Sequence, residues 1–153
     1  SQAVKQFWTD TAWGDLDWLI VDLPPGTSDV MLTALQSLPF DGLLFAATPQ
    51  DFVSMIVAKA VHMAGQTDTR TLGLVLNMVS MVCPHCGKEI PLFTGGGTDD
   101  PDLGIPVLAR MPWRADLAQK RHLLWDGLSE EVRRTASDLA EGVAGTLARA
   151  EVR

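Results

Sequence analysis

Residues 42–78 read GLLFAATPQDFVSMIVAKAVHMAGQTDTRTLGLVLNM, and this stretch decides the fold. It begins and ends with short apolar runs, residues 42–48 and 71–78, each bounded by turn-forming or polar residues. Short continuous apolar runs of this kind are typical of buried parallel strands. Between them, Asp51–Ala64 is apolar on most sides, which predicts a largely buried helix. Strand, helix and strand in this order predict a parallel βαβ unit.

The same alternation continues on both sides of this unit. Residues 17–23 (DWLIVDL) are predicted to be a further buried strand, and a helix capped by Asp29 is predicted to follow it through Leu38. Downstream, residues 106–110 return as a short strand, and Ser129 opens a helix with one apolar stripe. This order predicts an α/β fold with a doubly wound, mostly parallel sheet, in which ligands gather at the carboxyl ends of the strands.

Composition limits the possible partners and the compartment. With 46% apolar and 20% charged residues, the 153-residue chain is predicted to be globular. Its net charge of -7 argues against a nucleic-acid or anionic-membrane surface. No apolar stretch approaches the roughly 20 residues of a membrane span. Two cysteines in one short motif do not form a secreted disulfide framework, so a reducing, cytoplasmic location is expected.

Both cysteines lie in the motif CPHCG, residues 83–87, which leaves three interpretations open. A structural zinc site would need two ligands besides Cys83 and Cys86. A thiol–disulfide centre would place the motif at a helix start, but Gly87 and a glycine-rich stretch follow instead. A half-site shared across a two-fold axis would bring four thiolates from two chains. The spacing alone does not distinguish these three.

Two polar residues lie at the ends of predicted strands, and each can serve either in ligand binding or in a turn. Asp22 ends an apolar run, where a carboxylate can hold magnesium through water or simply bond to the following turn. Asn77 ends the run at 71–78, where its amide can meet a base edge or serve in a turn.

Taken together, WGDLDWLIVDLPPGTSD, AATPQD and GLVLNMVSMVCPHCG resemble the Mrp/ApbC family of iron–sulfur cluster carrier ATPases. This family is related to MinD and the nitrogenase iron protein among the P-loop NTPases. The resemblance implies that the chain binds ATP, Mg²⁺ and a [4Fe-4S] cluster, and that it passes the cluster to apo-proteins. It also implies a homodimer that bridges the cluster.

The resemblance assigns roles to individual residues. Asp22 would be the catalytic acid of the magnesium shell, and Cys83 and Cys86 would ligate the shared cluster. The nucleotide-binding residues would be the switch Pro24, Pro25, Gly26 and Thr27, together with Asn77 facing the adenine and Pro112 lining the same pocket.

One departure from the family pattern is large. No GKGGVGKS/T-type phosphate loop occurs in the 153 residues, and that loop supplies most of the phosphate contacts. The chain, residues 1–153, is therefore expected to be the C-terminal part of a single P-loop NTPase domain. Within it, residues 81–101 are expected to form a cysteine-containing loop and 128–150 a C-terminal helix. Full-length members of the family are ATP hydrolases, and this chain is expected to be inactive as a hydrolase when alone. The alternatives are a non-catalytic metal-binding or scaffold module and a CxxC thiol oxidoreductase.

Overall fold

A computed structural model describes residues 2–24, 28–49, 51–67, 69–83, 85–93, 103–114, 117 and 125–151. Among these residues, no helix combines the length and the apolar character needed to cross a membrane. The elements, in chain order, are α1 (Gln2–Asp10), α2 (Asp29–Ser37), β1 (Leu43–Ala47), α3 (Asp51–Ala64), β2 (Thr71–Val82), β3 (Glu89–Pro91), β4 (Val107–Trp113), a 3₁₀ turn (Trp125–Gly127) and α4 (Glu130–Glu151).

The predicted βαβ unit is present, with β2 at the centre of the sheet. β1 pairs in parallel with one edge of β2, and β4 pairs in parallel with the other. Residues 72–76 of β2 are all buried, as expected for a central strand. β1 differs from the prediction, because only Leu43, Phe45 and Ala47 are buried while Leu44 and Ala46 are exposed. This alternation shows that β1 is covered on one face only.

Helices pack on the sheet as an α/β architecture requires. Met31 and Leu35 of α2 and Val57 of α3 join the core that contains Leu74 and Leu76. Alternate residues of a strand face opposite sides, and Val75 is buried outside that core. α4 packs against β4 and β2, which is consistent with helical cover on this second face.

Serine hydroxyls cap two of the helices. The Oγ of Ser28 accepts a hydrogen bond from the backbone N–H of Met31 at 3.3 Å, so Ser28, and not Asp29 as predicted, is the cap of α2. A neutral hydroxyl at this position satisfies an otherwise unpaired amide, and Asp29 still places negative charge in the first turn. Ser129 accepts in the same way from the N–H of Val132 at 3.4 Å and precedes the first residue of α4.

The prediction of a strand at 17–23 is wrong. Residues 11–24 form neither helix nor strand, and Ile20 is 89% exposed and Trp18 56%. The sequence has the apolar character of a buried strand, but a strand also needs a neighbour to pair its backbone. None of the four strands in the described part of the chain pairs with this segment.

The segment expected to form a cysteine-containing loop, residues 81–101, begins with regular structure. β2 continues past its predicted end at residue 78 and pairs antiparallel with β3, so the two strands form a β-hairpin. Met78 has a positive φ of 59°, and the pairing of β2 with β4 is irregular between Asn77 and Met81. After this irregularity the parallel pairing resumes, with Met81 in register with Trp113, so β2 pairs with β3 and β4 at the same residue. Residues 94–102 lie outside the described part.

Candidate functional site

The cysteine motif forms the turn that closes the β2–β3 hairpin. The backbone N–H of Cys83 donates to the carbonyl of Lys88 at 2.9 Å, and the N–H of Gly87 donates to the carbonyl of Cys83 at 2.9 Å. Gly87 has a φ of 69°, a left-handed conformation that glycine adopts without strain. The turn therefore holds Cys83 and Cys86 within one short loop at the tip of the hairpin; Pro84 lies outside the described residues.

The two cysteines are free thiols in unlike surroundings. Cys83 is half-buried and Cys86 is exposed. The pKa of the Cys83 thiol is lowered, chiefly because the backbone N–H of Cys86 donates to its sulfur, then because that of His85 does, and the Cys86 side chain adds a further hydrogen bond. Burial acts in the opposite direction. Amides aimed at a sulfur stabilise a thiolate, which is the form that binds metals.

This arrangement predicts a pH shift in the alkylation of Cys83. In the folded, metal-free chain, the midpoint of its iodoacetamide pH profile should lie below that of Cys83 in the urea-unfolded chain, because unfolding removes the amide donors. Peptide mass spectrometry reports each cysteine separately. Coincident midpoints in the folded and unfolded chains would contradict the hydrogen-bonded turn.

Two of the interpretations of the motif lose support from this geometry. A thiol–disulfide centre would put Cys83 at the start of a helix, but the motif joins two strands. A zinc site within one chain needs further ligands, and among the described residues no three His, Cys, Asp or Glu side chains lie close enough to hold a metal ion. His62 lies on α3, and His122 is outside the described part. The half-site interpretation needs neither a following helix nor further ligands within one chain.

A polar pair lies at the base of the hairpin. Ser80 is 6% exposed, and its hydroxyl donates a short hydrogen bond to the Glu89 carboxylate on the facing strand. This bond joins β2 to β3 three residues before Cys83 and helps to fix the hairpin. Sequence reasoning missed both residues, although the apolar run at 78–82, interrupted by Ser80 alone, was a signal that the strand continues.

Asn77 and Pro112 lie on the neighbouring strands β2 and β4, near the irregularity in their parallel pairing. Asn77 is in register with Met111, the residue before Pro112. Asn77 is exposed, and its Oδ1 accepts from the N–H of Met78 at 2.9 Å. The turn role uses one lone pair of the oxygen, so the second lone pair and the side-chain nitrogen are the groups that would meet a base.

The other predicted nucleotide-binding residues lie in a segment without helix or strand or outside the described residues. Asp22 and Pro24 are exposed on the segment without helix or strand, and Pro25, Gly26 and Thr27 lie outside the described residues. A single exposed carboxylate is a poor magnesium site by itself, because Mg²⁺ needs phosphate oxygens and ordered waters as well. The described residues therefore do not by themselves form the phosphate and metal side of a nucleotide site.

A solved structure shows the class of protein to which this sheet belongs. The nucleotide-binding protein from Archaeoglobus fulgidus, solved in complex with ADP, matches with a TM-score of 0.66 and 38% identity, over 76% of this chain and 49% of that one. The fold is therefore part of a P-loop nucleotide-binding α/β domain.

The chain belongs to the NUBPL iron-transfer P-loop NTPase family, whose model matches residues 1–147. The iron-sulfur cluster carrier protein of Methanocaldococcus jannaschii is 35% identical over 154 residues, which cover 95% of this chain and 53% of the relative. The protein of the same description from Clostridium perfringens is 39% identical over 130 residues, covering 84% of this chain and 44% of the relative. The resemblance to the Mrp/ApbC carriers is confirmed, and the chain spans about half the length of the curated relatives it matches.

Proposed function

We propose that this protein is an iron–sulfur cluster carrier, in which Cys83 and Cys86 hold a [4Fe-4S] cluster that is later passed to apo-proteins. The observation that carries the proposal is the hairpin turn, where two free thiols lie in one loop and backbone amides stabilise one thiolate. The relatives described as cluster carriers support it.

The number of ligands argues for a shared site. A cubane cluster is held by about four thiolates, whereas each chain contributes two cysteines. A second copy related by a two-fold axis supplies the other pair. The protein acts as a homodimer around its cluster in this proposal.

The position of the thiols suits a carrier more than a permanent cofactor site. Transfer requires the thiolates of an acceptor protein to reach the iron and replace the donor ligands one at a time. Cys86 is exposed at the tip of the hairpin, and no described strand or helix covers it. Incoming thiolates can therefore reach this side of the site without unfolding the sheet.

Nucleotide binding is the second part of the proposal. Asn77 and Pro112 would contact the adenine of ATP, Asp22 would act in the Mg²⁺ shell, and residues 24–27 would respond to the nucleotide. The bound Mg²⁺ would supply charge neutralisation at the phosphates. The support is the register of Asn77 with Met111 and the ADP complex of the A. fulgidus relative.

The 153-residue chain alone is expected to bind ATP only weakly, since no phosphate loop is present in its sequence. Isothermal titration with Mg-ATP should show a dissociation constant of about 1 mM or weaker. An affinity in the micromolar range would contradict this expectation.

The net charge of -7 and the presence of both cysteines in one short motif support a cytoplasmic protein whose partners are neither nucleic acids nor membranes. Its clients are apo iron–sulfur proteins.

Anaerobic reconstitution followed by transfer tests the function. The chain is loaded with ferrous iron and sulfide, desalted and mixed with an apo-ferredoxin, and the visible absorption of each protein is followed after separation. A carrier takes up iron and sulfide in equal amounts and loses them to the acceptor. Uptake without transfer would favour the non-catalytic scaffold module, and no uptake would overturn the proposal.

A further inference from the structure

A row of three apolar side chains crosses the end of the sheet beside the cysteine turn. Met81 of β2 is in register with Ile90 of β3 on one side and with Trp113 of β4 on the other. Residues in register place their side chains on the same face of a sheet, so the row spans about 10 Å across three strands. Ile90 is 43% exposed and Trp113 is 37% exposed. An apolar row is therefore open to solvent at this point.

The row and Cys83 lie on the same face of the hairpin. Cys83 follows Met81 by two residues, and side chains two apart along a strand point to the same side. The opposite face of the hairpin is different in character, since Val82 is in register with the charged Glu89 there. The solvent-exposed apolar row is thus continuous with one thiol of the proposed cluster site.

We propose that the row formed by Met81, Ile90 and Trp113 is the surface through which two copies of this chain dock when they share a cluster. The proposal rests on the cluster-carrier function above. The partner is a second copy because the site is incomplete without two further thiolates. A two-fold axis through the cluster brings the same face of each hairpin together, so each row meets the equivalent row of the other copy.

The size of the row determines how the dimer behaves. A stable interface buries about 800 Å² on each partner. Three side chains, all of them already more than half covered, offer only a small part of that area. The row therefore orients the two copies and excludes water, while the shared cluster supplies the remaining affinity. Docking depends on the cluster and is lost when iron is removed.

The test compares two lysine substitutions in sedimentation velocity of the anaerobically reconstituted chain. Ile90→Lys places a charge in the row, and Val82→Lys places the same charge on the other face at a matched exposure, 43% against 44%. Wild type and V82K should sediment as dimers when loaded and as monomers after iron chelation. I90K should dimerise at least 10-fold more weakly.

A second variant tests whether a folding defect of the hairpin, and not the added charge, weakens the I90K dimer. Trp113→Lys changes the row from β4, and it should weaken the loaded dimer as I90K does, while circular dichroism reports that both retain the fold. Loaded I90K and W113K that dimerise as tightly as V82K would overturn the docking row, and so would a loaded wild-type chain that stays monomeric. Absence of iron uptake by the wild type would instead overturn the cluster-carrier function.

Discussion

Replacement of either Cys83 or Cys86 by serine is expected to reduce the iron retained after anaerobic reconstitution to background. Serine keeps the size of the side chain but does not provide a soft thiolate ligand. In a homodimeric site, one substitution removes two of the four ligands, because both copies carry it. Each single variant should therefore be nearly as defective as the double variant, with at least a 10-fold loss of bound iron and sulfide.

His85→Ala is the matched control for the cysteine variants. His85 is exposed in the same turn, and no role as a ligand is proposed for it. H85A should retain iron and sulfide at the wild-type ratio. Loss of iron from H85A, together with retention in one cysteine variant, would contradict the four-thiolate site and favour a mixed cysteine–histidine metal site.

Gly73→Ala is expected to cause the largest loss of stability of any small substitution in the sheet. Gly73 has a φ of 153°, and a Cβ at this position would lie 2.6 Å from the carbonyl oxygen of Pro106. That oxygen accepts the backbone hydrogen bond of Leu74 at 2.8 Å, so the β2–β4 pairing would have to shift. Backbone strain and overpacking together should cost about 2–4 kcal/mol of unfolding free energy, measurable by urea denaturation.

Gly104→Ala separates strain from the steric clash. Gly104 also has a positive φ, 66°, but a Cβ there would meet nothing within 4 Å. The left-handed conformation alone should cost about 1 kcal/mol. Equal losses for the two variants would show that the close approach of β2 and β4 does not contribute. A G73A chain as stable as wild type would contradict the strand pairing itself.

The sequence was sufficient to predict the central βαβ unit because its signals are local and agree with one another. Residues 42–47 and 72–76 are apolar without interruption, and the helix between them has no strand-like period. The segment at 17–23 has the same local character but is exposed. Whether an apolar run becomes a strand depends on a neighbouring strand, and that is not a property of the run.

The candidate site was predictable in its chemistry but not in its geometry. The CPHCG spacing indicated a soft metal half-site among other possibilities, yet the hairpin that holds it depends on the bulge at Met78. A positive φ at methionine is not expected from composition, because bulky residues rarely adopt it. Without that bulge, neither the continuation of β2 nor the register of Met81 with Ile90 and Trp113 can be derived.

Native mass spectrometry of the anaerobically reconstituted wild-type chain tests the central claim most directly, since it counts chains, iron and sulfide in one species. A cluster shared between two copies predicts two chains carrying four irons and four sulfides, with apo monomers as the other main species. A single chain that carries a complete cluster, or a dimer whose added mass is that of isolated metal ions, would contradict it.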